Sequence, residues 1–382
     1  MCYMILRSMK PLLVIENCFG LVRYRTGTDN SVETRLQKIA TSIAFLWIIN
    51  VIIFSLIPAI KVGIKRPEVL LEGLPWQIIT LQYAATLLIV LTQKNKYQQI
   101  ITLLSEADLR LQSSYVKNIH HMSYKKALFC ITIFISFCIF ILTMDILTVD
   151  GYRYEYVIYL LIYCERKIEI TTFLFSLSML RQRLLAIEKE LTEILNRQLR
   201  NKHRKLKITN FHRGNRNCDG VIKNNISSLA SSYGYIGEAC HILNTAYNFA
   251  IHTAPVAAFI FIMSTFWASF SCFKRNANIK ALIKIVTWSF SELITIIIMS
   301  IYCEKVLKAR DKIKSIVYNI LKIDNLTKDM QHQAKAFMEL IELWPMSIYA
   351  YDMYQINLKL VLNFVGICTS YLIIIIQIND FI

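Results

Sequence analysis

Four ionisable residues, Glu165, Arg166, Lys167 and Glu169, stand almost side by side in the middle of an otherwise apolar stretch. At membrane depth such groups are expensive and face a bundle interior or a water-filled cavity. One chemistry this allows is a polar ligand pocket open to the outside, held by Glu165 and Glu169, with Trp288 and Glu292 of another apolar stretch as facing candidates. The alternative is that this helix begins in external water, the true span starts at Ile168, and Arg166 pairs with Glu169 at i, i+3. A second pattern lies near the C-terminus. Ser370, Ile373, Ile374 and Gln377 recur at i, i+3, i+4, i+7 and share one helix face. A ring of Ile closes a narrow pore by dewetting, and a ring of Gln offers amide oxygens to a cation. The plainer alternative puts Gln377 at the membrane–water boundary.

Other constellations are missing. The ten Cys form no Cys-x-x-Cys pair and several lie in apolar runs, so they read as small buried hydrophobes. The seven His have no ligand spacing, and adjacent His120 and His121 point to different helix faces. No metal site and no cofactor is expected. No catalytic set converges at motif spacing, which argues against an enzyme. No repeated halves suggest a transporter.

The elements that must position these groups are apolar spans. Hydrophobic residues make up 55% of the 382-residue chain and charged residues only 18%, against about 45–50% and about 25% in soluble domains. A span needs about 20 apolar residues. Seven stretches qualify: 39–60, 73–92, 127–149, 156–180, 247–270, 281–302 and 360–378. The expected fold is therefore an all-α polytopic membrane protein with a cytoplasmic N-terminal segment, 1–38, and a seven-span domain, 39–382. The first residues are not a convincing signal peptide, because Arg7, Lys10 and Glu16 interrupt the apolar run.

Net charge is +17, which in a soluble protein would point to nucleic acid. Its distribution points elsewhere. The N-terminal segment and the loops 93–126, 181–246 and 303–355 hold 32 Lys and Arg, whereas the loops 61–72, 150–155 and 271–279 and the tail hold 6. The N-terminus is thus expected in the cytosol and the C-terminus outside. A G-protein-coupled receptor has the reverse orientation. The chain also has no Asp-Arg-Tyr triplet after the third span and no Asn-Pro-x-x-Tyr in the seventh.

Two cytoplasmic loops carry helical periodicity. Leu184, Ile187, Leu191, Ile194 and Leu195 form a stripe that extends the fourth span into the cytosol. Val306, Ile313, Val317 and Ile320 form another after the sixth, and a third helix over Ala334–Trp344 stops before Pro345. Their apolar faces must be buried on each other, on neighbouring subunits or on lipid. Residues 201–225 read as a polar loop. Asn225 and Asn325 head Asn-x-Ser/Thr triplets in cytosolic loops and should stay unmodified.

The run Thr369-Ser370-Tyr371-Leu372-Ile373-Ile374-Ile375-Ile376-Gln377-Ile378 resembles the signature of the insect gustatory receptors, Thr-Tyr, an apolar run, then Gln-Phe, in the last span. Tyr371 and Gln377 match, Ser370 replaces the Thr, and Ile378 replaces the Phe. Met9-Lys10-Pro11-Leu12-Leu13 with Phe19-Gly20-Leu21 looks like the family's N-terminal segment, and the stretch 173–191 also looks typical. Tyr351–Asn357 is similar to the family's approach to the last span, although a Gly is usual at about Asp352 and a Phe at about Tyr354. The resemblance implies a gustatory chemoreceptor in a sensory neuron's plasma membrane, a non-selective cation channel opened by a small-molecule tastant. It further implies a homo- or hetero-tetramer in membrane lipid. Its central pore would be lined by the seventh helix at Ser370, Tyr371, Ile373, Ile374 and Gln377, and the cytoplasmic parts of the late helices would form most of the subunit contact.

Overall fold

A computed structural model of the chain describes residues 2–21, 23, 42, 45, 46, 49, 53, 67–111, 113–148, 154–207, 216–275, 279–323 and 327–381. The expected first span lies largely outside the described residues, as does Asn325. The described helices are α1 (Cys2–Cys18), α2 (Pro67–Thr92), α3 (Lys94–Arg110), α4 (Ser113–Thr148), α5 (Tyr154–Lys207), α6 (Arg216–Arg275), α7 (Ile279–Leu321), α8 (Lys328–Leu343) and α9 (Leu358–Phe381). Six of them, α2, α4, α5, α6, α7 and α9, are long and apolar enough to cross a membrane. The fold is all-α apart from one small hairpin.

Helix length separates membrane from cytosol. The 54 residues of α5 and the 60 of α6 reach about 80 and 90 Å at ~1.5 Å per residue, against a hydrocarbon core of about 30 Å. Each must project far beyond the bilayer. There α5 packs on α7 and α8 packs on α6 and α7. The stripe Leu184, Ile187, Leu191 and Ile194 is buried, as are Val306, Ile313, Val317 and Ile320. Met330, Ala334, Phe337 and Ile341 of α8 complete this layer. The three apolar faces are therefore covered largely by one another and by α6 within one chain. Thr327 caps α8 by accepting from the Met330 amide at 3.4 Å, and the helix ends just before Pro345.

The polar loop expected over 201–225 is shorter than the composition suggests. Helix α5 runs to Lys207 and α6 begins at Arg216. Extending an existing helix gains one hydrogen bond per residue without a new nucleus, and a lone Gly220 costs only about 1 kcal/mol against Ala.

Two further helices fill segments that read as charged loops. α1 continues through Pro11 and buries Ile5, Met9 and Leu12. α3 lies along α6 and buries Tyr97, Ile100, Ile101 and Leu104. Arg183 of α5 clamps α3, its Nε and Nη2 donating to Asp108 Oδ1 and Oδ2 at 2.8 and 2.7 Å. Burial alone would raise the Asp108 carboxyl. Arg183 outweighs that, helped by His120, and holds it below the usual carboxylate range.

Between α8 and α9, strands β1 (Tyr349–Ala350) and β2 (Tyr354–Gln355) pair antiparallel, with Tyr349 opposite Gln355. Asn244 and Asn248 of α6 accept from the Tyr349 and Tyr351 amides at 3.1 and 2.5 Å. The hairpin thus fixes where α9 starts, and Asn357 Oδ1 accepts from the Leu360 amide at 3.1 Å in its first turn.

Candidate functional site

The charged turn of α5 is buried, not standing in external water. Every side chain from Ile162 to Ile170 is in the interior, with Glu165, Arg166, Lys167 and Glu169 at 1%, 1%, 7% and 5% exposure. Burial demands partners. Arg166 does not turn to Glu169. Its Nη2 lies 2.8 Å from Glu292 Oε2 on α7, and Lys167 Nζ lies 3.0 Å from Glu292 Oε1. Lys167 also donates to Thr295 Oγ1 at 2.5 Å. Glu292 is thus held between two cations of the facing helix.

Glu169 points the other way and accepts from Arg23 Nη2 at 2.7 Å and from Thr86 Oγ1 at 3.3 Å. Arg23 also pairs with Glu16 of α1. Its guanidinium lies over the rings of Tyr247 and Tyr97, 4.7 and 5.4 Å from their centroids. The N-terminal helix is therefore locked into the bundle by ion pairs. Sequence reasoning missed Glu16 and Arg23. The signal for Glu16 was present: it follows Ile5, Met9 and Leu12 at helical spacing, an acid on an apolar face.

The four carboxylates Glu16, Glu165, Glu169 and Glu292 meet three cations, Arg23, Arg166 and Lys167. Glu165 is the remainder. It is the one acid of the four with no ion pair among the described residues, and its Oε1 has no hydrogen-bond partner there.

Trp288 sits above Glu292 as an aromatic wedge. Its ring meets Trp76 edge-on at 4.7 Å and Tyr163 at 4.2 Å, and stacks with Phe261 at 6.4 Å. Tyr163 Oη and Ser291 Oγ share a hydrogen bond at 2.7 Å. Glu292 thus faces the charged turn, and Trp288 packs on Tyr163 just before it.

Helix α9 has two unlike sides. Phe364 and Cys368 bury against Ala258 and Ile296, and Tyr371 meets Phe259 edge-on at 5.1 Å. Ser370, Ile373 and Gln377 lie on the opposite side and are exposed, with Ile373 at 51%, and Ile374 flanks them. A Cβ added at Gly366, on the same side, would meet nothing within 4 Å. Tyr371 is thus turned toward α6, which it touches through Phe259, while it stays half exposed at 49%.

No curated protein matches the chain by sequence. Among solved structures, the insect olfactory receptor OR5 from Machilis hrabei matches with a TM-score of 0.73 at 12% identity, over 98% of this chain and 99% of that one. The same receptor in complex with eugenol matches at 0.72, with the same identity and coverage. At that identity the likeness establishes the overall architecture alone. The family model described as 7tm Chemosensory receptor matches residues 9–380, and since that takes in the second half of α1, the charged turn and nearly all of α9, the chain belongs to the 7tm chemosensory receptor family.

Proposed function

We propose that the chain is a subunit of a gustatory receptor, a non-selective cation channel opened by a small-molecule tastant in the plasma membrane of a sensory neuron. The observation that carries this is the uncovered side of α9. A 24-residue apolar helix turns Ser370, Ile373 and Gln377 away from its own bundle. In a homo- or hetero-tetramer these side chains line a shared axis. Exposed Tyr318, Leu343, Met353 and Leu358, at the cytoplasmic helices and the hairpin, then supply subunit contacts.

In this reading Ile373 and Ile374 form the closed gate. An apolar ring expels water, and an ion crossing it would lose hydration without replacement. Gln377 lies about 5 Å farther along the helix and lines the path beyond the gate. Tyr371 acts by holding α9 against Phe259. The olfactory receptor bound to eugenol supports a small-molecule agonist here. Glu165, Glu169, Trp288 and Glu292 are its proposed contacts or the groups that position them.

Current recording in oocytes tests the pore face. Ile374→Ser should wet the ring and give ligand-independent current. Gln377→Lys should suppress cation current at normal surface expression, because like charges around one axis raise an electrostatic barrier. Parent-like conduction by Gln377→Lys would remove Gln377 from the pore.

A further inference from the structure

A groove of about 1030 Å³ separates α1 from the first turns of α4. Its lining carries Arg7 and Lys10 from α1 and Lys117, His120 and His121 from α4, with no carboxylate among the described lining residues. Two acids beside these helices are committed elsewhere. Asp108 accepts from Arg183 and also lies 3.3 Å from His120 Nε2, and Glu16 pairs with Arg23 on the buried side of α1. Ser8 Oγ donates to the His120 carbonyl at 3.3 Å and closes the floor.

The other end of the groove is apolar, lined by Leu13, Val14 and Tyr124. The uninterrupted apolar run of α4 starts at Ala127, so Lys117 stands about 15 Å before it and Tyr124 about 5 Å. Tyr3, Met4 and Val14 of α1 line the groove and are exposed, and Leu128 and Phe129, also exposed, follow about one turn beyond Tyr124 on α4. The basic mouth therefore lies at the bilayer surface, and apolar side chains continue from it into the bilayer. That profile fits an amphiphile with an anionic head.

We infer that this groove seats the headgroup of a polyphosphorylated anionic phospholipid. Three permanent cations and two imidazoles converge on one cavity, more than a single phosphodiester uses, and basic pockets beside spans bind such headgroups. The proposed orientation enters only in naming the cytoplasmic leaflet as the source. The binding itself is independent of channel activity.

Native mass spectrometry of the purified chain tests it, with phosphatidylinositol bisphosphate, phosphatidylserine, phosphatidylcholine and soluble inositol trisphosphate as probes. The bisphosphate lipid should bind in preference to the other three. Each surface cation contributes about fivefold to such binding, so Arg7→Gln with Lys117→Gln should weaken it about 25-fold. Lys312→Gln with Lys314→Gln, on α7, should leave it unchanged. Arg7, Lys117 and Lys312 are exposed and Lys314 is half-buried. Should the first pair fail to fold, Lys10→Gln alone removes one permanent cation and should weaken binding about fivefold. Equal binding of phosphatidylserine or phosphatidylcholine, affinity indifferent to the groove variants, or inositol trisphosphate binding as tightly as the lipid would overturn the assignment.

Discussion

Glu292 and Glu165 are both buried carboxylates, yet their surroundings predict opposite responses to substitution. Glu292 pairs with both Arg166 and Lys167, at 2.8 and 3.0 Å. Glu292→Leu strands two buried cations, and breaking such a pair costs about 3–5 kcal/mol, a large share of a typical stability of about 5–15 kcal/mol. Surface expression should collapse. Glu165 has no described ion pair to lose, so Glu165→Gln should reach the surface at near parent levels and alter agonist sensitivity. Surface biotinylation alongside a dose–response series separates the two. Equal loss of surface protein in both variants would mean that Glu165 is structural. The sequence made the charged turn visible because ionisable residues within an apolar run stand out. It marked Glu16 only as an acid on an apolar face and hid Arg23, which comes from a basic segment where charge is unremarkable, and only the tertiary fold brings the two to Glu169.

Among the elements, the periodic stripes were readable and the closest contacts were not. The cytoplasmic stretches of α5 and α7 announced themselves through Leu and Ile at helical spacing. α1 and α3 did not, since both lie in segments rich in Lys and Arg that the topology count treats as loops. The hairpin before α9 is a middle case. Tyr351 and Asp352 take φ of 48° and 56°, a region that favours glycine. The Gly usual at about Asp352 in the insect gustatory receptors now has a physical reason, and Asp tolerates the same conformation. Gly237 of α6 had no sequence signature at all. Trp344, at the end of α8, lies so close that a Cβ at position 237 would sit 2.5 Å from its Cγ. Tyr233 Oη, one turn earlier, donates to the Trp344 carbonyl at 2.9 Å, which limits how far the indole can retreat. Gly237→Ala should therefore destabilise the cytoplasmic layer by about 1–3 kcal/mol, the usual cost of overpacking. Thermal melting of the detergent-solubilised protein would reveal it, and an unchanged midpoint would show that the indole moves freely.

For the whole molecule, charge and helix length bear on the same question. The segments rich in Lys and Arg are those in which α5, α6 and α7 run on beyond a bilayer's thickness and gather with α3 and α8. Such a layer needs water on its outer surface, and membrane insertion leaves Lys and Arg on the cytosolic side. The first puts this layer outside the bilayer, and the second predicts that it lies, with the N-terminus, in the cytosol. Helix α9 begins at the hairpin on that layer and runs away from it, so the C-terminus should emerge outside. Epitope tags at the two ends, stained with and without permeabilisation, test this directly. The C-terminal tag should be visible on intact cells and the N-terminal tag only after permeabilisation. Asn225 and Asn325 should carry no sugar, because both stand on the cytosolic side in this arrangement. An N-terminal tag stained on intact cells, or glycosylation at either Asn, would invert the molecule. Gln377 would then lie at the inner end of α9, and a receptor signalling through a G protein would become the better reading of the seven expected spans.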